Sequence, residues 1–446
     1  MPKKKFKRCV TLLIDGFPTS ELEAYLKQGL LPNIKALINE GTYVPTCVST
    51  FPSVTGPAHV PLFTGQNPFH YGIAGHNQFY RNYRCFDNYL VQYANFNKQF
   101  GNEKTVYDYY DNSISIAELV YKGSGKFVRY ISGVFAWVFR SDINTTLVLR
   151  RMLKEYDEGR DLIVGWLTNS DAFPHICKSD RKLKKLMKKV DNFIGDFMAR
   201  KDKDTRLIIC SDHGMEKTDR RFKIKKSFQE MGLNIAKMKF NYDGGGFAQI
   251  YFKHLNKDTF WRHKMSYKHF RKYALDKTNF KGLMKQLAKA KAIEFLMVDH
   301  EDDTYIFSSR GVASISKKSD KYLYKVLEGK DPFGYSHGRR TGGGRNSGRL
   351  VGRWVTKDEC LKFSHDTKYP DAIYQVHGLL QLANTGELVI TSSDHVSFNF
   401  ITPYAVHGGL RPDQMVIPFI LSDRVEGGGP EYMRSEEVFD YIIGRR

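Results

Sequence analysis

Residues 161–175, DLIVGWLTNSDAFPH, run from an unbroken apolar stretch into Asp171 and, four residues on, His175. A short continuous apolar run is the signature of a strand buried on both faces, as in parallel sheets. The same arrangement recurs along the chain. VTLLI (10–14) leads into Asp15, TRLIIC (205–210) leads into Asp212 and His213, His407 lies in AVHGG, and Thr55 lies in FPSVTGPAH. Open α/β sheets hold their ligands just beyond the carboxyl ends of the strands, so these residues are expected to meet at one edge. Imidazole nitrogen and carboxylate oxygen suit zinc, and two such ions roughly 4 Å apart can clamp a phosphoryl group during in-line displacement. Six metal ligands and a hydroxyl make phosphoryl transfer the first hypothesis.

The rest of the chain alternates strands and helices. After Asp15, Ser20 and Glu23 form a capping-box pattern ahead of a helix that is expected to break at Pro32, and Gly41 ends that unit. From Arg181 to Met198, apolar residues recur at helical spacing beside a Lys-rich face. TRLIIC, ELVIT (387–391) and MVIPFIL (415–421) read as further core strands, and NYDGGGFAQIYF (241–252) as a return to the core through a tight Gly turn. The short alternating runs between 290 and 370 suggest a small β-rich subdomain. The fold class expected is therefore α/β, a mainly parallel central sheet flanked by helices, with an inserted helical region and a small β-rich cap. Core segments are expected at 1–80, 156–289 and 371–446, an insertion over the site at 81–155, and the cap at 290–370.

A chain of 446 residues, 41% hydrophobic, can bury a large core. With 69 Lys and Arg against 48 Asp and Glu, its net charge of +21 favours anionic partners, phosphate esters and an anionic membrane surface among them. Six cysteines without paired short spacing argue against a disulfide framework, and the apolar run before Asp15 is too short for a secretory signal, so a cytoplasmic location is expected. No run approaches the length of a membrane span. The longest candidate, YISGVFAWVF (130–139), reads as a packed helix, with a lipid-surface segment as the alternative.

Taken in order, these motifs resemble the alkaline phosphatase superfamily, in its type I phosphodiesterase and nucleotide pyrophosphatase branch. The resemblance rests on Asp15 with LPNIKALINEG downstream, STFPSVTGPAHVPLFTGQNP, the Asp171–His175 pair, SDHGM and HGGLRPDQMVIPFIL. It implies an alkaline-phosphatase-like core and two divalent metal ions, zinc above all, although mixed His and Asp ligands also accept manganese. It further implies one ion on Asp171, His175 and His407, and the other on Asp15, Asp212, His213 and the oxygen of Thr55. Thr55 would be the nucleophile and would form a phosphothreonine.

The chain departs from that branch in two places, one of them the branch's later His-Gly pair, which appears here as Tyr71-Gly72 with His70 one position early. The branch has Asn three residues after the nucleophile, where this chain has Ala58. The amide that donates to a phosphate oxygen then falls near His76 or Asn77, and amide donation selects Asn77. Sulfatases are excluded by the lack of C-x-P-x-R around Thr55.

The expected substrate is a small phosphate ester, with Asn77, Phe79 and Arg339 as binding residues, and specific nucleic-acid binding is not expected. Aromatic residues close to Asn77 favour a diester, whose second substituent needs an apolar pocket. Phosphomonoester hydrolysis is the alternative, with Lys126, Arg339 and Arg340 supplying extra charge, and a non-catalytic anion binder is the third reading. Cys177 and Cys210 are expected to pack rather than to ligate. Substrate identity and oligomeric state stay open.

Overall fold

The computed structural model describes residues 6–130, 141–233, 235–253, 264, 280–300, 302–336, 347–399 and 404–446. Its centre is an eight-stranded sheet in the order Tyr432–Arg434, Thr42–Val48, Val416–Leu421, Thr205–Cys210, Arg8–Ile14, Leu162–Leu167, Ser113–Ile116, Lys126–Val128. Seven strands run parallel, and Val416–Leu421 alone is antiparallel to both neighbours. Cys9 and Leu13 face one apolar cluster while Val10, Leu12 and Ile14 face another. Burial on both faces explains why these strands read as unbroken apolar runs.

The second face is covered by the helix Arg181–Arg200, whose Leu186, Met187, Val190, Ile194 and Phe197 are buried as the spacing predicts. Asp191 on that helix accepts from the backbone N–H of Ile34 (2.9 Å) and Asn33 (3.3 Å). It thereby caps the helix Pro32–Glu40 from outside. Pro32 opens this helix, where a missing N–H does no harm. Ser20 does not cap its helix. Thr19–Lys27 begins at Pro18, and Ser20 lies within the first turn, donating to Asp413 (2.8 Å).

A second eight-stranded sheet, wholly antiparallel, runs Met238–Asp243, Phe247–Phe252, Leu388–Ser392, Ile293–His300, Asp303–Phe307, Gly311–Lys318, Lys321–Gly329, Trp354–Thr356. It contains the expected β-rich cap but is larger. ELVIT and FAQIYF, expected in the parallel core, belong to this sheet. Leu388–Ser392 lies inside it, third in the order, and an interior strand buried on both faces carries the same apolar pattern in either sheet. Within 81–155, expected as an insertion over the site, Ser113–Ile116 and Lys126–Val128 extend the edge of the parallel sheet instead. Among the described residues no helix is long and apolar enough to cross a membrane. The segment 131–140, which holds most of YISGVFAWVF, lies outside them.

Candidate metal centre

Four strands of the parallel sheet end at one edge, and the residues just past them form the site. Asp15 follows Arg8–Ile14, Thr55 follows the loop after Thr42–Val48, Asp171 lies on the helix Asn169–Ile176 after Leu162–Leu167, and Asp212 and His213 follow Thr205–Cys210. His407 follows Ala405–Val406, a short strand paired with Glu216–Lys217. It also bridges to Gly245 in the turn between two strands of the second sheet. The site therefore lies where the two sheets meet.

The six expected ligands gather there. Nε2 of His175 lies 3.2 Å from Asp171 Oδ1, and Nε2 of His407 lies 3.5 Å from the same oxygen. Nε2 of His213 lies 3.5 Å from Asp15 Oδ1 and 3.3 Å from Asp212 Oδ2. Asp171, His175 and His407 form one group able to hold a metal, and Asp15, Asp171 and His213 form another. Thr55 is the first residue of the helix Thr55–Thr64, and its Oγ1 is 3.2 Å from Nε2 of His213. Gly16 permits this closeness. It has φ +63°, its N–H donates to Asp212 Oδ1 (3.1 Å), and a Cβ there would lie 3.0 Å from Asp171.

The donor set fits a divalent cation. Each imidazole turns Nδ1 to a backbone carbonyl: His175 to Ala405 (2.8 Å), His213 to Gly214 (2.9 Å) and His407 to Ser53 (2.9 Å). In a neutral ring, donation from Nδ1 leaves Nε2 a lone-pair acceptor, the usual way a ligating histidine is oriented. Opposite those nitrogens, Asp15 Oδ1 and Asp171 Oδ1 are buried without a hydrogen-bond partner, while Asp212 Oδ2 faces His59 Nε2 as well as His213. Acceptors facing acceptors repel unless a cation lies between them.

The electrostatics agree. Burial, then the nearby Asp212 and Asp171, push the Asp15 carboxyl well above its usual range. Burial opposes ionisation of Asp212 as well, but His213 and His59 outweigh it and hold the group at about 2. Burial and the neighbouring His213 depress His407 far below an ordinary imidazole, which keeps it neutral.

His59 and Glu118 were not singled out by their sequence context. His59 is one helical turn after Thr55, fully buried, with Nε2 3.3 Å from Asp212 Oδ2 and Nδ1 on Glu118, itself fully buried. Burial works against the charged imidazole, but Glu118 and Asp212 raise its pKa to about 9. The only local signal was the spacing of four from Thr55, which places both on one helix face.

The substrate-binding expectations fare differently. Asn77 spends an N–H on Asp243 (2.6 Å), and its carbonyl accepts from Asn88 (2.8 Å). His76 is better placed, since a Cβ on Gly56 would lie 2.9 Å from the Cβ of His76. Nε2 of His76 meets Asp243 (3.1 Å), while its Nδ1 is buried and unpartnered. Phe79 is fully buried against Tyr251 and is not presented to a ligand. Lys126 pairs with Glu155 (3.2 Å) at the sheet edge, and Arg339 and Arg340 lie outside the described residues. Cys210 is buried in the core, where burial raises its thiol pKa.

A family model described as type I phosphodiesterase / nucleotide pyrophosphatase matches residues 9–339. A curated protein of Schizosaccharomyces pombe, an uncharacterized pyrophosphatase/phosphodiesterase, is 24% identical over 228 residues, which is 47% of this chain and 45% of that protein. The match thus spans less than half of that relative's length. Among solved structures, phosphonoacetate hydrolase from Sinorhizobium meliloti 1021 with phosphonoformate superimposes with a TM-score of 0.58 at 15% identity, covering 98% of this chain and 95% of that one. Murine ectonucleotide pyrophosphatase / phosphodiesterase 5, as an inactive threonine-to-alanine variant with AMP, gives 0.57 at 13% identity over 98% of this chain and 95% of that one. At these identities the likeness is one of fold.

Proposed function

The chain belongs to the type I phosphodiesterase / nucleotide pyrophosphatase family, and from that premise we propose that it hydrolyses a phosphodiester through a phosphothreonine at Thr55. The observation that carries this reading is the Thr55 hydroxyl beside His213, in a cluster where Asp15 Oδ1 and Asp171 Oδ1 are buried without a protein hydrogen-bond partner. Asp15, Asp212 and His213 would hold one divalent ion, and Asp171, His175 and His407 the second, with zinc favoured by the ligand types. When bound, such a pair neutralises charge on the attacking and leaving oxygens and favours the alkoxide and hydroxide forms of its oxygen ligands.

The chain's own residues do the rest. Thr55 Oγ gives up its proton to solvent water and forms a bond to phosphorus as the bond to the leaving alcohol's oxygen breaks, and that oxygen takes up a proton from solvent water. Water then forms a new bond to phosphorus, the Thr55 ester bond breaks, and the hydroxyl is restored. The backbone carbonyls of Ser53, Ala405 and Gly214 hold the three imidazoles in one orientation throughout. His76, beside Gly56 with Nδ1 unpartnered, is the candidate contact for a phosphate oxygen, in preference to Asn77.

A phosphomonoesterase needs extra cations at the site, and Lys126 is committed to Glu155. A non-catalytic anion binder would not need all six ligands and Thr55 together. The deciding experiment compares a nitrophenyl phosphodiester with the matching monoester, zinc added, for wild type and Thr55→Ala. Diester preference that vanishes in the variant is expected. Monoester preference would move the function to phosphatase, and binding without turnover of either would support the anion binder.

A further inference from the structure

The carboxylate of Asp243 is fully buried at the end of Met238–Asp243, the edge strand of the second sheet, and among the described residues no Lys or Arg pairs with it. Its partners are two amides and one imidazole. Oδ1 accepts from Asn77 (2.6 Å) and lies 3.1 Å from Nε2 of His76, and Oδ2 accepts from Asn241 (3.2 Å). A buried carboxylate without a countercharge is costly, and among the described residues His76 is the one base in contact able to supply it. The backbone makes room for this pair, since a Cβ on Gly75 would lie 2.4 Å from Asp243 Oδ2.

Both members of the pair adjoin the metal cluster. The Cβ of His76 packs on Gly56, the residue after Thr55. On the other side, Gly244 follows Asp243, and its carbonyl accepts from the backbone N–H of His407 (2.9 Å), while a Cβ on it would lie 2.6 Å from His407 Nδ1. The His76 side chain therefore runs from the start of the Thr55 helix to the turn that abuts His407. Its Nε2 is taken by Asp243, and Nδ1, the nitrogen nearer the Cβ that touches Gly56, is buried with no protein partner. A buried polar atom in that position calls for a ligand to complete it.

A ring that gives its Nε2 proton to Asp243 donates from Nδ1 only when it carries both protons. Such an imidazolium lies between two anionic acceptors, the Asp243 carboxylate and a phosphoryl oxygen, and charge-assisted hydrogen bonds of this kind are about twice as strong as neutral ones. Resting on the phosphodiesterase reading above, we propose that Asp243 is a positioning residue of the reaction. It fixes the His76 ring and supplies the countercharge with which Nδ1–H donates to a non-bridging phosphoryl oxygen at Thr55. The edge strand of the second sheet then takes part in holding the phosphoryl group.

The test uses the zinc-loaded full chain with methyl nitrophenyl phosphate, a diester, and with the separate Rp and Sp isomers of its thio analogue, in which sulfur replaces one non-bridging oxygen. Asp243→Asn should lower kcat/KM for the diester roughly 10- to 100-fold, with the loss in kcat and zinc content unchanged. Sulfur accepts hydrogen bonds weakly, so a contact to one oxygen separates the isomers. The Rp-to-Sp ratio of rates should change about tenfold or more in His76→Ala, Asp243→Asn should move it the same way, and the double variant should go no further than His76→Ala. A structural defect lowers both isomers alike, so an unmoved ratio in Asp243→Asn would overturn the proposal and leave the phosphodiesterase reading intact. A second readout needs no variant of Asp243. In nitrogen NMR spectra of the labelled imidazoles, the signals lost in His76→Ala should show Nε2 protonated in the zinc-loaded chain, and Nδ1 protonated as well once the diester is bound to Thr55→Ala. An Nε2 without its proton would overturn the role of Asp243 whether or not any diester turns over. If wild type turns over no diester, the phosphodiesterase reading falls and takes the phosphoryl contact with it.

Discussion

At Thr55 the hydroxyl oxygen lies 3.2 Å from an imidazole nitrogen whose partner nitrogen is already bound to a backbone carbonyl. Replacing Thr55 by Ala removes the oxygen proposed as nucleophile but none of the six carboxylate and imidazole side chains proposed as ligands. Turnover should fall roughly a thousandfold or more while zinc content, read by elemental analysis, stays at the wild-type value. His407→Ala removes a ligand, so it should lose both activity and metal, and unchanged metal in that variant would refute the ligand assignment. A second expectation concerns His59, which joins buried Glu118 to Asp212. His59→Asn leaves Glu118 without its charged partner and Asp212 without lateral support. Zinc affinity, measured against a competing chelator, should fall roughly 10- to 100-fold. An unchanged affinity would reduce His59 to a packing residue. The residues that gather at the sheet edge could be singled out in the sequence because most of them follow an apolar run and each carries a side chain able to bind a metal. The His59–Glu118 pair could not, because the two are 59 residues apart and neither departs from ordinary helix or loop composition.

At the scale of elements, the helix Ala372–Leu380 shows what burial does to a titratable group. His377 is almost fully buried, its Nδ1 lies 3.3 Å from Thr304 Oγ1, and its ring meets Tyr322 edge-on. Burial, aided by Lys317, lowers its pKa to about 4. The unfolded chain takes up a proton near pH 6.5, and the folded chain does so only near 4. The folded state is therefore disfavoured progressively as pH falls from about 6.5 to 4, and no further change from this group follows outside that window. The difference of about 2.5 units corresponds to about 3 kcal/mol. Urea midpoints for His377→Gln should depend less steeply on pH than those of wild type between pH 6.5 and 4, and parallel curves would refute the assignment. This helix packs on the second sheet, the part of the fold least legible beforehand. Leu388–Ser392 and Phe247–Phe252 are buried at every position, as Leu162–Leu167 is in the parallel sheet, and a mainly apolar run records that a strand is covered on both faces without recording which sheet it belongs to. Arg8–Ile14, Leu162–Leu167 and Thr205–Cys210 were assigned correctly because a candidate ligand follows each of them, whereas Ser113–Ile116 and Lys126–Val128, which no such residue follows, were not. Where no such marker exists, only pairing partners distant in sequence decide.

The two sheets must hold a fixed relation for His407, which bridges to Gly245 in a turn of the second sheet, to meet the other five candidate ligands beyond the parallel sheet, and one buried side chain ties them. Arg411 is 5% exposed and four residues past His407. Its guanidinium pairs with Glu216, three residues past His213, and with Glu294 on the second-sheet strand Ile293–His300. It also donates to the carbonyl of Ser392 (2.9 Å), at the end of the interior strand Leu388–Ser392. Gln414 adds a donor to Glu216 (2.8 Å). One cation thus holds two ligand-bearing loops against the second sheet. A buried ion pair taken as a whole adds little net stability, but removing one partner strands the others in a low dielectric, at about 3–5 kcal/mol. Arg411→Met keeps much of the side-chain volume but takes the guanidinium from both carboxylates, leaving Glu216 with no cation and Glu294 with Lys368 alone. The denaturant midpoint should drop by an amount equivalent to that range. Hydrogen exchange should accelerate together in the loops after His213 and before Arg411 and in the strand Ile293–His300, because all three depend on one guanidinium. Accelerated exchange confined to the second sheet would show that the ligand loops are held by the parallel sheet alone. Combining Arg411→Met with Glu216→Gln and Glu294→Gln removes the stranded charges and should recover a large part of the loss, which a mere packing defect at Arg411 would not do.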